Sequence, residues 1–243
     1  MTIPLKQANE DNLDEPIAVL ARRILSLVAS LPDRSLQGLR GVRRTLTREL
    51  RTRPGGDVLT LAVQMLDGSC ARWLVYELVH HHPPAMAALS ARRLQHLGRD
   101  LASWGDVDAF GCYLLGPAWR EGRISEAGIA LWAKSPDRWR RRSALVATVA
   151  LNTPARGGRG DARCTLMVCD LLVDDRDDMV VKGMSWALRA LAARDPASVS
   201  AYLAKHEERL AARVLREVRN KLRTGLKNPK EPRVATKKEP KKK

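Results

Sequence analysis

Apolar residues recur three and four positions apart along almost the whole chain, and no alternating apolar and polar run lasts more than a few residues. That spacing puts side chains on one stripe of an α-helix, whereas a half-buried strand needs a period of two. The chain is therefore expected to be all-α. Ile17, Leu20, Ala21, Ile24, Leu25 and Val28 form the stripe of a first helix from about Asp14 to Leu31, closed by Pro32-Asp33. A second, from about Ser35 to Arg51, carries Arg40, Arg43, Arg44, Arg48 and Arg51 on its polar face, and Pro54-Gly55-Gly56 breaks it. Later starts are marked by residues that cap or open helices: Asp57, Ser69, Pro83-Pro84, Ser103, Ser125, Ser135-Pro136, Asp161, Asp177 and Asp195-Pro196.

Helices of roughly 10 to 17 residues joined by brief turns suit a stack of antiparallel pairs in units of roughly 35 to 45 residues. The expected architecture is a HEAT-like helical-repeat solenoid with a concave groove, and an irregular helical bundle is the alternative, since no repeated consensus stands out. Residues 1–226 read as one domain. The longest irregular stretch, Asn152 to Gly160, is glycine-rich but follows a helix and lacks the Gly-Lys-Ser/Thr ending of a phosphate-cradling loop. It reads as a flexible connector.

Charge narrows the choice of partner. The chain carries 43 Lys and Arg against 27 Asp and Glu, a net charge of +16. Its 12 Lys and 31 Arg are distributed unevenly, with seven of the Lys in the last 18 positions. Residues 227–243 therefore read as a disordered Lys/Pro tail that attracts polyanions or merely solubilises. The Arg-rich body suggests phosphate, because a planar guanidinium forks onto phosphate oxygens. No stretch approaches the ~20 apolar residues of a membrane span, and the first fifteen residues lack the pattern of a secretory signal. A cytoplasmic protein is expected, with no membrane partner. Cys70, Cys112, Cys164 and Cys169 show no CxxC spacing and read as buried reduced thiols. His80-His81-His82 lacks further ligands at metal spacing, and Asp174, Asp175, Asp177 and Asp178 lack the glycine and distal glutamate of a calcium loop. No metal is expected.

Aromatics are scarce, with six Trp, three Tyr and one Phe, so each Trp stands out. Trp104 and Asp108, four apart, share a helix face behind Ser103 as a cap, while Asp106 lies on another face. Trp186 and Arg189, three apart, share another. Arg138, Arg140, Arg141 and Arg142 crowd a helix N-terminus, where the dipole disfavours cations; a phosphate backbone would offset that. Each fragment also has an ordinary structural reading, as core wedge, surface acid or solvated face.

In chain order these fragments resemble the DNA alkylation repair family of HEAT-like-repeat alkylpurine DNA glycosylases. The resemblance is carried by Trp104-x-x-x-Asp108, by Trp139-x-x-Arg142 before Ser143-Ala144-Leu145-Val146, and by Lys182-Gly183-Met184-Ser185-Trp186-Ala187-Leu188-Arg189. Asp195-Pro196, Tyr202-Leu203 and Leu215-Arg216-Glu217 extend it, so that it runs from about Ser69 to Leu226. The chain departs from the family in having Ser103 where a second Trp is common, and in having no aromatic residue before Trp73.

The resemblance implies that Trp104 and Trp186 form an aromatic cleft against a damaged nucleotide, that Asp108 is the catalytic carboxylate, and that Arg142 and Arg189 grip the flanking phosphates. Arg141 and Arg43 are further candidate DNA contacts from the basic helix faces. The implied activity is hydrolysis of the N-glycosidic bond of N3- or N7-alkylated purines in duplex DNA by a monomer, without metal or organic cofactor. A non-enzymatic DNA-binding scaffold with an arginine-lined groove, and a solenoid that binds an acidic protein, remain open.

Overall fold

The computed structural model describes residues 15–33 and 35–229. Asp14, expected to open the first helix, and positions 230–243 of the expected tail lie outside the described residues. In chain order the helices are α1 (Ile17–Ala29), α2 (Leu36–Glu49), α3 (Gly55–Asp67), α4 (Arg72–His80), α5 (Pro83–Ala87), α6 (Ala91–Leu97), α7 (Trp104–Phe110), α8 (Gly116–Arg120), α9 (Glu126–Ala133), α10 (Arg138–Asn152), α11 (Ala162–Leu171), α12 (Asp178–Ala192), α13 (Pro196–Lys205) and α14 (Ala212–Thr224). The protein is all-helical, with no strand among the described residues and a repeat-like arrangement of its helices.

One row runs α2, α4, α7, α10, α12, α14, each packed on the next, and α1, α3, α5, α9, α11 and α13 pack behind it. The central member, α10, is buried from Arg142 through Asn152. Its apolar residues reach both layers, so the core is continuous from Leu20 on α1 to Val218 on α14.

Several capping residues act as their sequence positions suggest. The side chains of Ser103, Ser125, Asp161, Asp177 and Asp195 each accept a hydrogen bond from the backbone N–H two or three residues on. Others differ. Ser69 adopts a left-handed φ of 61° and its helix begins only at Arg72. Asp137, not Ser135, caps α10. Five helices, α5 to α9, have eight residues or fewer, shorter than the expected range. Two of these, α7 and α8, are halves of one rod, because Gly111–Leu115 winds between them as a single π-helical turn with α-like dihedrals at both junctions. A π turn inserts an extra residue per turn and shifts the helix face.

That rod packs closely on α10. A Cβ at Gly111 would stand 2.7 Å from Val146 Cγ1, and one at Gly116 would be driven into the Ala147 carbonyl oxygen. Backbone cannot yield as a side-chain tip does. Gly116→Ala should therefore destabilise the fold by about 2 kcal/mol or more, read as a lowered denaturation midpoint. Gly56→Ala, where the added carbon meets nothing within 4 Å, should leave the midpoint unchanged or raise it.

The stretch from Asn152 to Gly160 is not a loose connector. Buried Asn152 donates through Nδ2 to Thr165 Oγ1 at 2.8 Å and accepts from the Asp161 N–H at 2.9 Å. Pro154–Arg156 form a 3-10 turn ended by Gly157 at φ 76°. Arg194 donates to the Asn152 carbonyl, and Arg120 to the Arg156 carbonyl. Each glycine of the stretch is hydrogen-bonded to a neighbouring segment or is itself the bend.

All four cysteines are free and buried. Burial pushes the thiols up, to about 11 at Cys70 and about 12 at Cys112 and Cys164, with Cys169 raised as well. No helix among the described residues is long and apolar enough to cross a membrane.

Candidate functional site

Trp104 opens α7. The Ser103 hydroxyl accepts from the Asp106 N–H at 3.2 Å and donates to Asp106 Oδ2 at 2.9 Å. This reciprocal cap uses Asp106 and leaves Asp108, half a turn on, as the acid available to the site. Across the helix interface Arg142 forks onto Asp108, Nε to Oδ1 and Nη2 to Oδ2, both at 3.0 Å. Its remaining Nη1 donates to the Met179 carbonyl at 2.7 Å, and the residue is only 5% exposed. Burial pushes the Asp108 carboxyl above its ordinary range, while Arg142, and more weakly Arg156, pull it back.

Trp104, 63% exposed, and half-buried Trp186 stand on the same groove of about 410 Å³, with Arg142, Met179, Lys182, Arg189 and Lys227 as its other walls. Arg189 Nε donates to Ser185 Oγ at 3.2 Å, and that hydroxyl donates to Glu217 Oε2 at 2.6 Å. Lys227 ion-pairs with Glu217 at 3.4 Å, so the first residue assigned to the tail belongs to the groove wall. Burial pushes the Glu217 carboxyl up, but Ser185 and Lys227 outweigh it and hold it below its ordinary range. The relay fixes Arg189 from behind, against burial that pulls its own pKa down. A second groove of about 430 Å³ shares Trp186, Arg189 and Lys227 and continues to Asn152, Thr153 and Pro154.

The structure thus brings Trp104, Asp108, Arg142, Trp186 and Arg189 together, but gives Arg142 different work from the expected one. A guanidinium that spends three of its five N–H groups on a carboxylate and a carbonyl, and is 5% exposed, is placed first to hold that carboxylate. The remaining arginines of the run also have partners inside the protein. Arg138 lies over Trp139 at 4.9 Å, and Arg140 lies over Trp132 at 5.0 Å and donates to Gln95. Arg141, expected to touch DNA, donates to Asp175 at 2.7 Å and to the Ser135 and Pro136 carbonyls. These partners within the protein themselves offset the unfavourable helix dipole. Arg43, the other expected contact, is absent from the groove walls and lies 3.3 Å from buried Glu77.

Lys182, Lys227 and Met179 are groove residues that sequence reasoning did not select. Lys182 could have been found, since it lies one helical turn before Trp186 on the same face. Lys227 had no such signal. Among the described residues no group of three or more His, Cys, Asp or Glu could hold a metal ion.

Fold and site together define a helical-repeat protein with a tryptophan-walled, cation-rich groove backed by a carboxylate that a buried arginine clamps. The chain belongs to the DNA alkylation repair enzyme family, whose model matches residues 38–222. No curated protein and no solved structure matches it significantly. Its role is in DNA alkylation repair, with DNA as the partner that membership implies.

Proposed function

We propose that the protein is a monofunctional glycosylase that releases N3- or N7-alkylated purines from duplex DNA and leaves an abasic site. One observation carries this reading: Trp104 and Trp186 share a cationic groove with Arg142, whose fork holds Asp108. A purine alkylated at N3 or N7 is already cationic, so its glycosidic bond breaks with the electron pair leaving on the base, which departs neutral. The positive charge passes to the sugar. A fixed carboxylate beside that sugar stabilises the charge and orients the water that adds to C1′, whose proton passes to solvent. Indole faces favour the same cation. Lys182, Arg189 and Lys227 supply charge for the phosphates.

The test is release of free methylated purine from methylated duplex DNA. Duplex binding without release would favour the scaffold reading. The chemistry needs Asp108 ionised, and its carboxyl is raised. Release should therefore be complete above that raised pKa and fall as pH drops through it, with the acid limb above the ordinary carboxyl value of about 3.9. Single-turnover rates against pH, corrected for spontaneous depurination, measure it.

A further inference from the structure

Pro154 is the last residue of its loop on the wall of the second groove, and the next residues lie just outside that wall. Arg156, two residues further on, is half-buried and has no carboxylate within 4.0 Å among the described residues. Its guanidinium carbon lies 4.6 Å from the centre of the Tyr113 ring. That ring is held at both ends. The Tyr113 hydroxyl donates to Glu77 Oε1 at 2.8 Å, and its carbonyl meets His80 Nδ1 at 2.9 Å. Tyr113 sits on the π turn, five residues beyond Asp108, and that turn swings it toward Arg156. The backbone under Arg156 is equally fixed: its N–H donates to the Thr153 carbonyl at 3.0 Å, and its carbonyl accepts from Arg120 at 2.8 Å. Arg156 is close enough to act electrostatically on both Asp108 and Cys112. An arginine stacked on a held ring, presented by a pinned loop and without a carboxylate at ion-pair distance, is pre-organised for an anion.

We propose that Arg156 is a phosphate contact just outside the groove, gripping a phosphodiester of the DNA strand where it leaves the walls formed by Trp186 and Arg189. The proposal rests on the reading that DNA lies in this groove, but not on glycosylase turnover.

The experiment uses the full chain and undamaged duplex DNA, with equilibrium binding measured across a salt series. Arg156→Gln should weaken binding about fivefold near 0.1 M salt and reduce the slope of log K against log salt by about 0.9, one phosphate contact. Arg156→Lys should keep the wild-type slope. An unchanged slope in Arg156→Gln overturns the proposal, as does a loss of affinity that leaves the slope intact. A measurement independent of variant folding is protection of Arg156 in the wild-type protein from phenylglyoxal. Duplex DNA should slow its modification, read by mass spectrometry; equal modification with and without DNA overturns the assignment. If wild-type protein releases no methylated base while the Arg156 results hold, the glycosylase reading fails and this one stands. Release with an unaltered Arg156→Gln slope is the reverse.

Discussion

Asp108→Asn should slow single-turnover release of methylated base by roughly 10²-fold or more, equivalent to the ~3 kcal/mol of one preorganised electrostatic contact. Duplex affinity should stay level or rise slightly, since a negative charge near the phosphates is gone. The amide keeps the size of the carboxylate, and its oxygen still accepts one hydrogen bond from Arg142, so the helix interface survives. The guanidinium loses its counter-charge and one of its two acceptor oxygens, so a drop in stability of up to about 3 kcal/mol is expected. Wild-type release from a folded Asp108→Asn protein would remove the carboxylate from the mechanism. Lost folding would make it structural.

The second large effect is expected at Arg142, and it differs in kind from what the sequence suggests. Breaking a buried charge pair by removing one partner typically costs about 3 kcal/mol, because the other charge is left unpaired. Arg142→Ala should lower stability by that order, since it strips both oxygens of Asp108 and the Met179 carbonyl of their donors. Base release should fall with it as the carboxylate loses its orientation. Affinity for undamaged duplex should fall much less than in Arg189→Ala, whose side chain borders the groove with its remaining donors available. The measurements are denaturation midpoints beside equilibrium binding for the two variants. If Arg142→Ala keeps wild-type stability and loses duplex affinity, Arg142 is a phosphate contact after all.

The difference between those two arginines shows what the sequence carries and what it withholds. Helical class, cap positions such as Ser103, Asp177 and Asp195, and shared faces such as Trp186 with Arg189 depend on neighbours within a few residues, so local spacing reveals them. Pairing of Arg142 with Asp108 spans 34 positions, and its distance depends on how two helices cross. The π turn is equally hidden, because Gly111–Leu115 has the composition of any buried helix, and only packing of Gly111 and Gly116 on α10 exposes it. The same holds for the arginine run, whose partners lie on α6, α7, α9, α12 and the loops before α10 and α12. Counting cations along one helix cannot tell which of them face an acid from another.

An agent that alkylates purine nitrogens also attacks thiolates, and a repair protein works where such agents are present. The four thiols here are out of solvent and hold their protons well above neutrality. A protonated, inaccessible sulfur is a poor nucleophile toward an electrophile in solution. Cys112, one turn from Asp108, is fully buried. The packing that closes the core thus also shields the protein from the chemistry whose products its family repairs.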